Sequence, residues 1–312
     1  MKTLAEIARS SRTQFDLTDP ADRSSLAQLT HQLCENGHWS IQDLQTASRD
    51  PQAALEFRLA CVLVDSKRWL NTFGEAKRIG VVYAMWGEHN RLLPRSADNP
   101  HGEDSLRVKL DQLQWAFEGT QVEWTLYAVD DGCPHGSAKI ARKVAAEHPA
   151  AHRVQVLELD KALPATDGPL ARLACADDSR KAGAIILGCM HALDQGADAI
   201  VYTDADNSVH LGQIGLLMRG WIDEQAPVVL GDRKHADAVL VKQEARWGVG
   251  IVLLRHMQRM IGAEIYSRGI LDTQAAFKLY SKEVLKGLLR SPTVYDFSFD
   301  SDWILGSLAQ GA

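Results

Sequence analysis

The chain has no long apolar run. Its longest candidate, Val249 to Leu254, falls far short of the roughly 20 residues a membrane span needs. Cysteine is sparse and badly spaced for metal: Cys34, Cys61, Cys133, Cys175 and Cys189 form no CxxC pair. Their odd number and scatter exclude a zinc module and a disulfide framework, so free thiols in a reducing cytoplasm are expected. Positive charge is also short. Lys plus Arg is 34 against 40 for Asp plus Glu, a formal net charge of −6. That excludes a nucleic-acid partner held by bulk electrostatics, while leaving room for a local basic pocket for phosphate. No internal repeat or low-complexity tract is present. The first eleven residues carry Glu6 and lack an apolar h-region, so no secretory leader is expected there.

What is present is an ordinary globular composition, 46% hydrophobic and 24% charged over 312 residues, enough for two domains or one large α/β domain. Residues 1–76 read as a helical extension. Leu26, Leu29 and Leu33 follow helical spacing, as do Leu55, Leu59 and Leu63, and Asp50-Pro51 has the form of a helix start. The extension is expected to pack on the rest of the chain or to join two subunits. Its stripes are narrow and only weakly basic, so a protein-packing role is favoured over peripheral membrane contact.

Over residues 77–312 the pattern alternates. Buried-strand candidates are Ile79–Ala84, Val122–Val129, Val154–Leu159, Ala199–Thr203 and Val228–Leu230. Helical segments are Glu103–Phe117, Ser137–Glu147, Asp178–Leu193 (with Asp177 or Asp178 near its cap) and Val209–Trp221. Strands alternating with helices imply a mainly parallel sheet covered on both faces.

Chemistry gathers at the strand ends. The apolar run from Ala199 to Tyr202 ends in Asp204-Ala205-Asp206. Two acids spaced i, i+2 at the carboxyl edge of a parallel sheet, where such sheets bind ligands, can hold one hard divalent cation, and that cation a diphosphate. The plainer reading makes Asp206, Asn207 and Ser208 the cap of the helix near Val209. Other strand ends carry Trp86-Gly87-Glu88-His89-Asn90, Asp130-Asp131-Gly132 and Gly231-Asp232-Arg233, and in a parallel sheet these converge on one rim.

From about residue 78 onward the chain resembles the family 2 glycosyltransferases of the GT-A fold, closest to the dolichyl-phosphate glucose and mannose synthase branch. The resemblance rests, in order, on Gly87-Glu88-His89-Asn90, Val129-Asp130-Asp131-Gly132-Cys133, Arg180-Lys181-Ala182-Gly183-Ala184, Thr203-Asp204-Ala205-Asp206-Asn207-Ser208, Gly231-Asp232-Arg233, Asp272-Thr273-Gln274-Ala275-Ala276-Phe277-Lys278 and Phe299-Asp300-Ser301-Asp302. The chain departs from that pattern in Met85-Trp86-Gly87, in a polar insert from Arg91 to Asp104, in Ala275-Ala276 where Cys-Gly is usual, and in Asp302 where Glu is usual.

The resemblance implies an inverting, metal-dependent transfer from a UDP- or GDP-sugar to a polyprenyl phosphate, a glycan or a small soluble molecule. Asp206 would ligate Mg²⁺ or Mn²⁺, and Asp204 the metal or the ribose. Glu88, Asp130 and Asp131 would hold ribose and base, with turn or cap acids as the alternative. Lys181, Arg233 and Arg246 would meet the phosphates; otherwise Lys181 is a solvated helix-start residue and the arginines surface ion pairs. Asp272, Asp300 and Asp302 would lie over the donor sugar, with Asp300 or Asp302 as general base for a hydroxyl acceptor. A phosphate acceptor is already ionised and needs no base, which would leave those acids a positioning or helix-cap role. Two other readings share the fold. A non-catalytic nucleotide-sugar-binding module is opposed by the intact acid pair and Asp272-Thr273-Gln274. A sugar-phosphate nucleotidyltransferase needs a Gly-rich, basic loop after the first strand, where Ala84 to Glu88 has one Gly and no Lys or Arg.

Overall fold

The computed structural model describes residues 3–35, 37–241 and 262–312. Four helices come first: α1 (Leu4–Ser10), α2 (Pro20–Glu35), α3 (Ile41–Ser48) and α4 (Leu55–Thr72). They enclose an apolar cluster of their own, with Leu26, Leu33, Leu44, Phe57 and Val64 all but fully buried. Asp50-Pro51 does not start a helix. It forms the turn between α3 and α4, where the Asp50 carboxylate accepts from Gln52 N–H at 2.9 Å and pairs with Arg9; α4 begins four residues later, after Ala54.

A six-stranded sheet follows, in the order β3-β2-β1-β4-β6-β5. Its strands are β1 (Lys77–Met85), β2 (Val122–Asp130), β3 (Val154–Glu158), β4 (Ala199–Thr203), β5 (Val228–Leu230) and β6 (Phe277–Ser281). Strands β1 to β4 pair parallel, and β6 runs antiparallel between β4 and β5. The architecture is therefore mixed α/β with a mostly parallel central sheet flanked by helices.

Alternation along β1 divides the core. Ile79, Val81, Tyr83 and Met85 face one layer, packed with residues of α5 (Ser105–Phe117), α6 (Ser137–Ala146) and α9 (Ile214–Ile222). Val82 faces the other, with the short α7 (Leu159–Ala162), α8 (Ala182–Asp194) and the helix Phe299–Ala309. This period of two is what a pleated strand buried on both faces requires. Helix α8 lies unusually close to the sheet, because a Cβ on Gly188 would stand 2.4 Å from Val82 Cγ1.

Helix α4 fixes the N-terminal helices to the sheet unit. Its Ser66 hydroxyl donates to Gly212 C=O at 2.6 Å and accepts from Gly215 N–H at 3.0 Å. Lys67 Nζ donates to the C=O groups of Trp115, Ala116 and Glu118, the unpaired carbonyls at the end of α5. Asp65 pairs with Arg219 at 2.8 Å.

Two helix starts differ from the expectation. Asp177 and Asp178 belong to a separate 3₁₀ turn, Ala176–Asp178, and α8 starts only at Ala182, after Lys181 at φ +85°. The helix expected from Val209 opens instead with a 3₁₀ turn, Leu211–Gln213, and α9 starts at Ile214. No described helix is long and apolar enough to cross a membrane.

Candidate functional site

The register brings the acid-tipped strands to one rim. Met85 stands opposite Asp130, and Asp130 opposite Glu158. Strand β4 ends at Thr203, which pairs with Phe277, the first residue of antiparallel β6. The Asp272–Ala276 segment therefore reaches the rim from above just where Asp204 leaves it. Gly231 N–H donates to Phe277 C=O at 2.8 Å, which brings Arg233 to the same edge.

The acid pair does not cap a helix. Asp206 Oδ1 accepts from Ser208 N–H at 3.0 Å in a local turn, and the side chain that caps the next 3₁₀ turn is His210. Burial pushes the Asp206 pKa up, but the Ser208 bonds and the charges of Lys109 and Arg91 outweigh it and hold the carboxyl below the usual range. Asp204, with about 38% of its side chain exposed, pairs with Lys181 Nζ. Lys181 is a positive-φ residue without the freedom of glycine, a costly backbone state that persists where its surroundings impose it. Its N–H donates to Asp131 Oδ2 at 2.6 Å, and its ammonium lies 5.2 Å from the centre of the Tyr202 ring. The second Asp131 oxygen is buried and takes no hydrogen bond among the described residues, and burial pushes this carboxyl up.

Asp130 is occupied differently. Its oxygens accept from Cys133 N–H at 2.7 Å and Ala138 N–H at 2.9 Å, fastening the turn to the start of α6. The structure thus separates the neighbours: Asp130 secures the scaffold and Asp131 faces Lys181.

Arg233 and Asp272 form a fork, with Nε to Oδ2 at 2.6 Å and NH2 to Oδ1 at 2.8 Å. Burial pushes Asp272 up, but the fork and two backbone N–H groups outweigh it and keep the carboxyl ionised below its usual range. The Arg233 side chain remains about 57% exposed. Asp300 is buried and paired with Lys278, a lysine on β6 with no exposed surface. Burial pushes Asp300 up and Lys278 down, and each is drawn back by the other's charge. Asp302, two residues on, is half-buried; burial alone pushes it up, and no ion pair reaches it among the described residues. Arg246 lies outside the described residues, as does the apolar run Val249 to Leu254.

Three residues that the sequence reading left aside clasp the acid loop. Lys109 of α5 is 1% exposed; it donates to the Asp206 C=O and lies 5.8 Å from the centre of the Tyr83 ring. Burial pushes its pKa down, while Asp206, Asp204, Glu103 and Glu88 push it back. Glu103 accepts from Asn207 N–H at 3.0 Å through its carboxylate and from Asn207 Nδ2 at 3.0 Å through its C=O. Arg91 bridges Glu88 at 3.1 Å and Glu103 at 3.3 Å. Arg91 and Glu103 close the neck of the polar insert, where Ser105 N–H donates to Arg91 C=O at 3.0 Å. The insert thereby holds the acid loop. Glu88 is pushed up by burial, with Arg91 drawing it back. Lys109 had a legible signal: it lies three residues after Leu106 and four before Leu113, on the apolar stripe of its helix.

Among the described residues no three His, Cys, Asp or Glu side chains converge as a complete metal cage. The donor set that is present, Asp204 and Asp206, suits a cation whose remaining ligands come from substrate phosphate and water. Magnesium-type sites commonly take that form, with one or two carboxylates.

No protein-family profile matches the sequence. Two curated proteins resemble it. A dolichyl-phosphate β-glucosyltransferase of Trichomonas vaginalis is 24% identical over 195 residues, which cover 61% of this chain and 50% of that protein. The human dolichyl-phosphate β-glucosyltransferase is 22% identical over 246 residues, covering 76% of this chain and 68% of that one. The chain thus spans half the length of the first relative. Among solved structures, glucosyl-3-phosphoglycerate synthase from Mycobacterium tuberculosis, in complex with Mn²⁺ and UDP-glucose, aligns with a TM-score of 0.48 at 15% identity, over 80% of this chain and 69% of that one. The sequence is thus similar to dolichyl-phosphate β-glucosyltransferases.

Proposed function

We propose that the chain is a metal-dependent glycosyltransferase that moves a hexose from a nucleotide-diphosphate sugar to an acceptor with inversion. The observation that carries this reading is the convergence of Asp204 and Asp206 with Lys181, Arg233 and Asp131 at the carboxyl rim of the sheet. It places two ionisable oxygen donors beside two cations suited to phosphate.

Asp206 and Asp204 would hold Mg²⁺ or Mn²⁺, which would supply charge neutralisation for the diphosphate leaving group, a contribution on the order of several kcal/mol. Lys181 adds a point charge, and Arg233 turns its remaining N–H groups toward the same phosphates while Asp272 fixes its plane. The unpartnered oxygen of Asp131 and the carboxylate of Glu88 accept from ribose hydroxyls or a base N–H.

A hydroxyl acceptor needs a base. Asp300 is a poor candidate, because Lys278 and the Tyr202 hydroxyl already engage it. Asp302 has no such commitment, and burial raises its basicity. We therefore assign Asp302 as the base. The names of the curated relatives favour a second reading, a polyprenyl-phosphate acceptor, for which no base is required and Asp302 only positions the acceptor.

Hydrolysis of donor without acceptor tests the enzyme reading. With Mn²⁺, slow release of nucleoside diphosphate is expected from at least one UDP- or GDP-sugar, and chelation abolishes it. Saturable donor binding with no turnover under any acceptor condition would make the chain a binding module instead.

A further inference from the structure

The most unusual side chain near the acid loop is not an acid. Lys109 sits on the apolar stripe of α5, 1% exposed, with its ammonium donating to the Asp206 C=O. Four carboxylates act on it: Asp206, Asp204, Glu103 and Glu88. A lysine in an apolar helix slot is expensive to bury unless it is paired. Loop fastening does not require one, because Asn207 is already held twice by Glu103. An ammonium held against the backbone of Asp206, on the loop that carries both acids, has a further consequence: it opposes any second cation that approaches them.

We propose that Lys109 is a built-in counter-cation that weakens the grip of the acid loop on metal alone. The cation is then captured efficiently only together with a diphosphate, whose negative charge outweighs the lysine. This rests on the reading that Asp204 and Asp206 bind the divalent ion. Arg91 has a related place, bridging Glu88 and Glu103, but it is partly exposed and is screened by solvent, so the larger effect belongs to Lys109.

The test separates charge from hydrogen bonding. Lys109→Gln keeps an N–H donor for the Asp206 carbonyl and loses the charge. Lys109→Met loses both and retains the volume, the kind of exchange a largely apolar slot tolerates. Binding of Mn²⁺ is read by electron paramagnetic resonance, with and without UDP, on full-length protein whose melting temperature is measured alongside. Both variants are expected to bind Mn²⁺ alone about ten-fold more tightly than the wild type, with a smaller enhancement by UDP. Unchanged or weaker Mn²⁺ binding in whichever variant folds would overturn the proposal and leave Lys109 a structural anchor. A wild type that binds no Mn²⁺ even with UDP would overturn it differently, by removing the metal reading on which it rests.

Discussion

Asp300 and Asp302 stand two residues apart at the start of the last described helix, and their surroundings set them apart. Asp300 neutralises Lys278, which has no exposed surface. Asp300→Asn strands that ammonium, and breaking a buried pair from one side costs about 3–5 kcal/mol. We expect a large drop in melting temperature, with activity lost in step with folded protein. Asp302→Asn touches no buried partner. Its melting temperature should stay within a few degrees of the wild type while kcat falls about 10²- to 10⁴-fold, the usual worth of general-base catalysis. Equal, mild losses of kcat in folded samples of both variants would instead favour the phosphate acceptor. Of these two acids the sequence showed the position; only the structure showed which was spoken for, because Lys278 lies 22 residues away from Asp300.

At the scale of elements, α8 packs tightly onto β1. Gly188→Ala would place a methyl 2.4 Å from Val82 Cγ1 and 3.0 Å from Val129 Cγ2. Overpacking of this kind typically costs about 1–3 kcal/mol, and urea unfolding should report it as a lower midpoint at unchanged slope. The five strands from β1 to β5 were legible because each is a short apolar run closed by turn residues, a pattern set within the strand itself. Strand β6 was not, since Phe277-Lys278-Leu279-Tyr280-Ser281 carries a lysine whose burial depends on a distant aspartate. The start of α8 misled for a related reason: the helix begins only after Lys181, whose N–H is drawn to Asp131 just past the end of β2. Asp204 and Asp206 stood out in sequence by spacing and place. Arg91 and Glu103 did not, because insert charges read as solvated until the fold turns them onto the acid loop; the one signal for Lys109 was its place on the apolar stripe of α5.

At the scale of the whole molecule, the N-terminal helices and α5 meet near His210, just past the acid loop. Its Nδ1 accepts from Gly212 N–H at 3.1 Å, while Ser66 of α4 holds the C=O of that glycine. Burial pushes the His210 pKa down from 6.5 to about 4. Between those values the unfolded chain takes up a proton that the folded one refuses, so stability rises with pH across the window. The contribution is complete above pH 6.5 and is lost as pH falls to about 4, amounting to no more than roughly 3 kcal/mol. His210→Asn, which keeps an acceptor for Gly212 but does not titrate, should flatten this part of the stability profile measured by denaturant unfolding at several pH values. An unchanged slope would mean that His210 is hydrated in the folded state.

All three scales bear on one claim, that Asp206 holds a divalent cation which in turn holds the donor's diphosphate. Thermal unfolding with UDP-, GDP- and dTDP-sugars, with and without Mn²⁺, tests it most directly in the wild type and Asp206→Ala. A ligand at 100 times its Kd stabilises by about 2.7 kcal/mol. The wild type should therefore melt several degrees higher with its donor when Mn²⁺ is present and much less without it. Asp206→Ala, melting alone near the wild-type temperature, should lose the metal-dependent part. A metal-dependent shift of equal size in that variant would contradict the account.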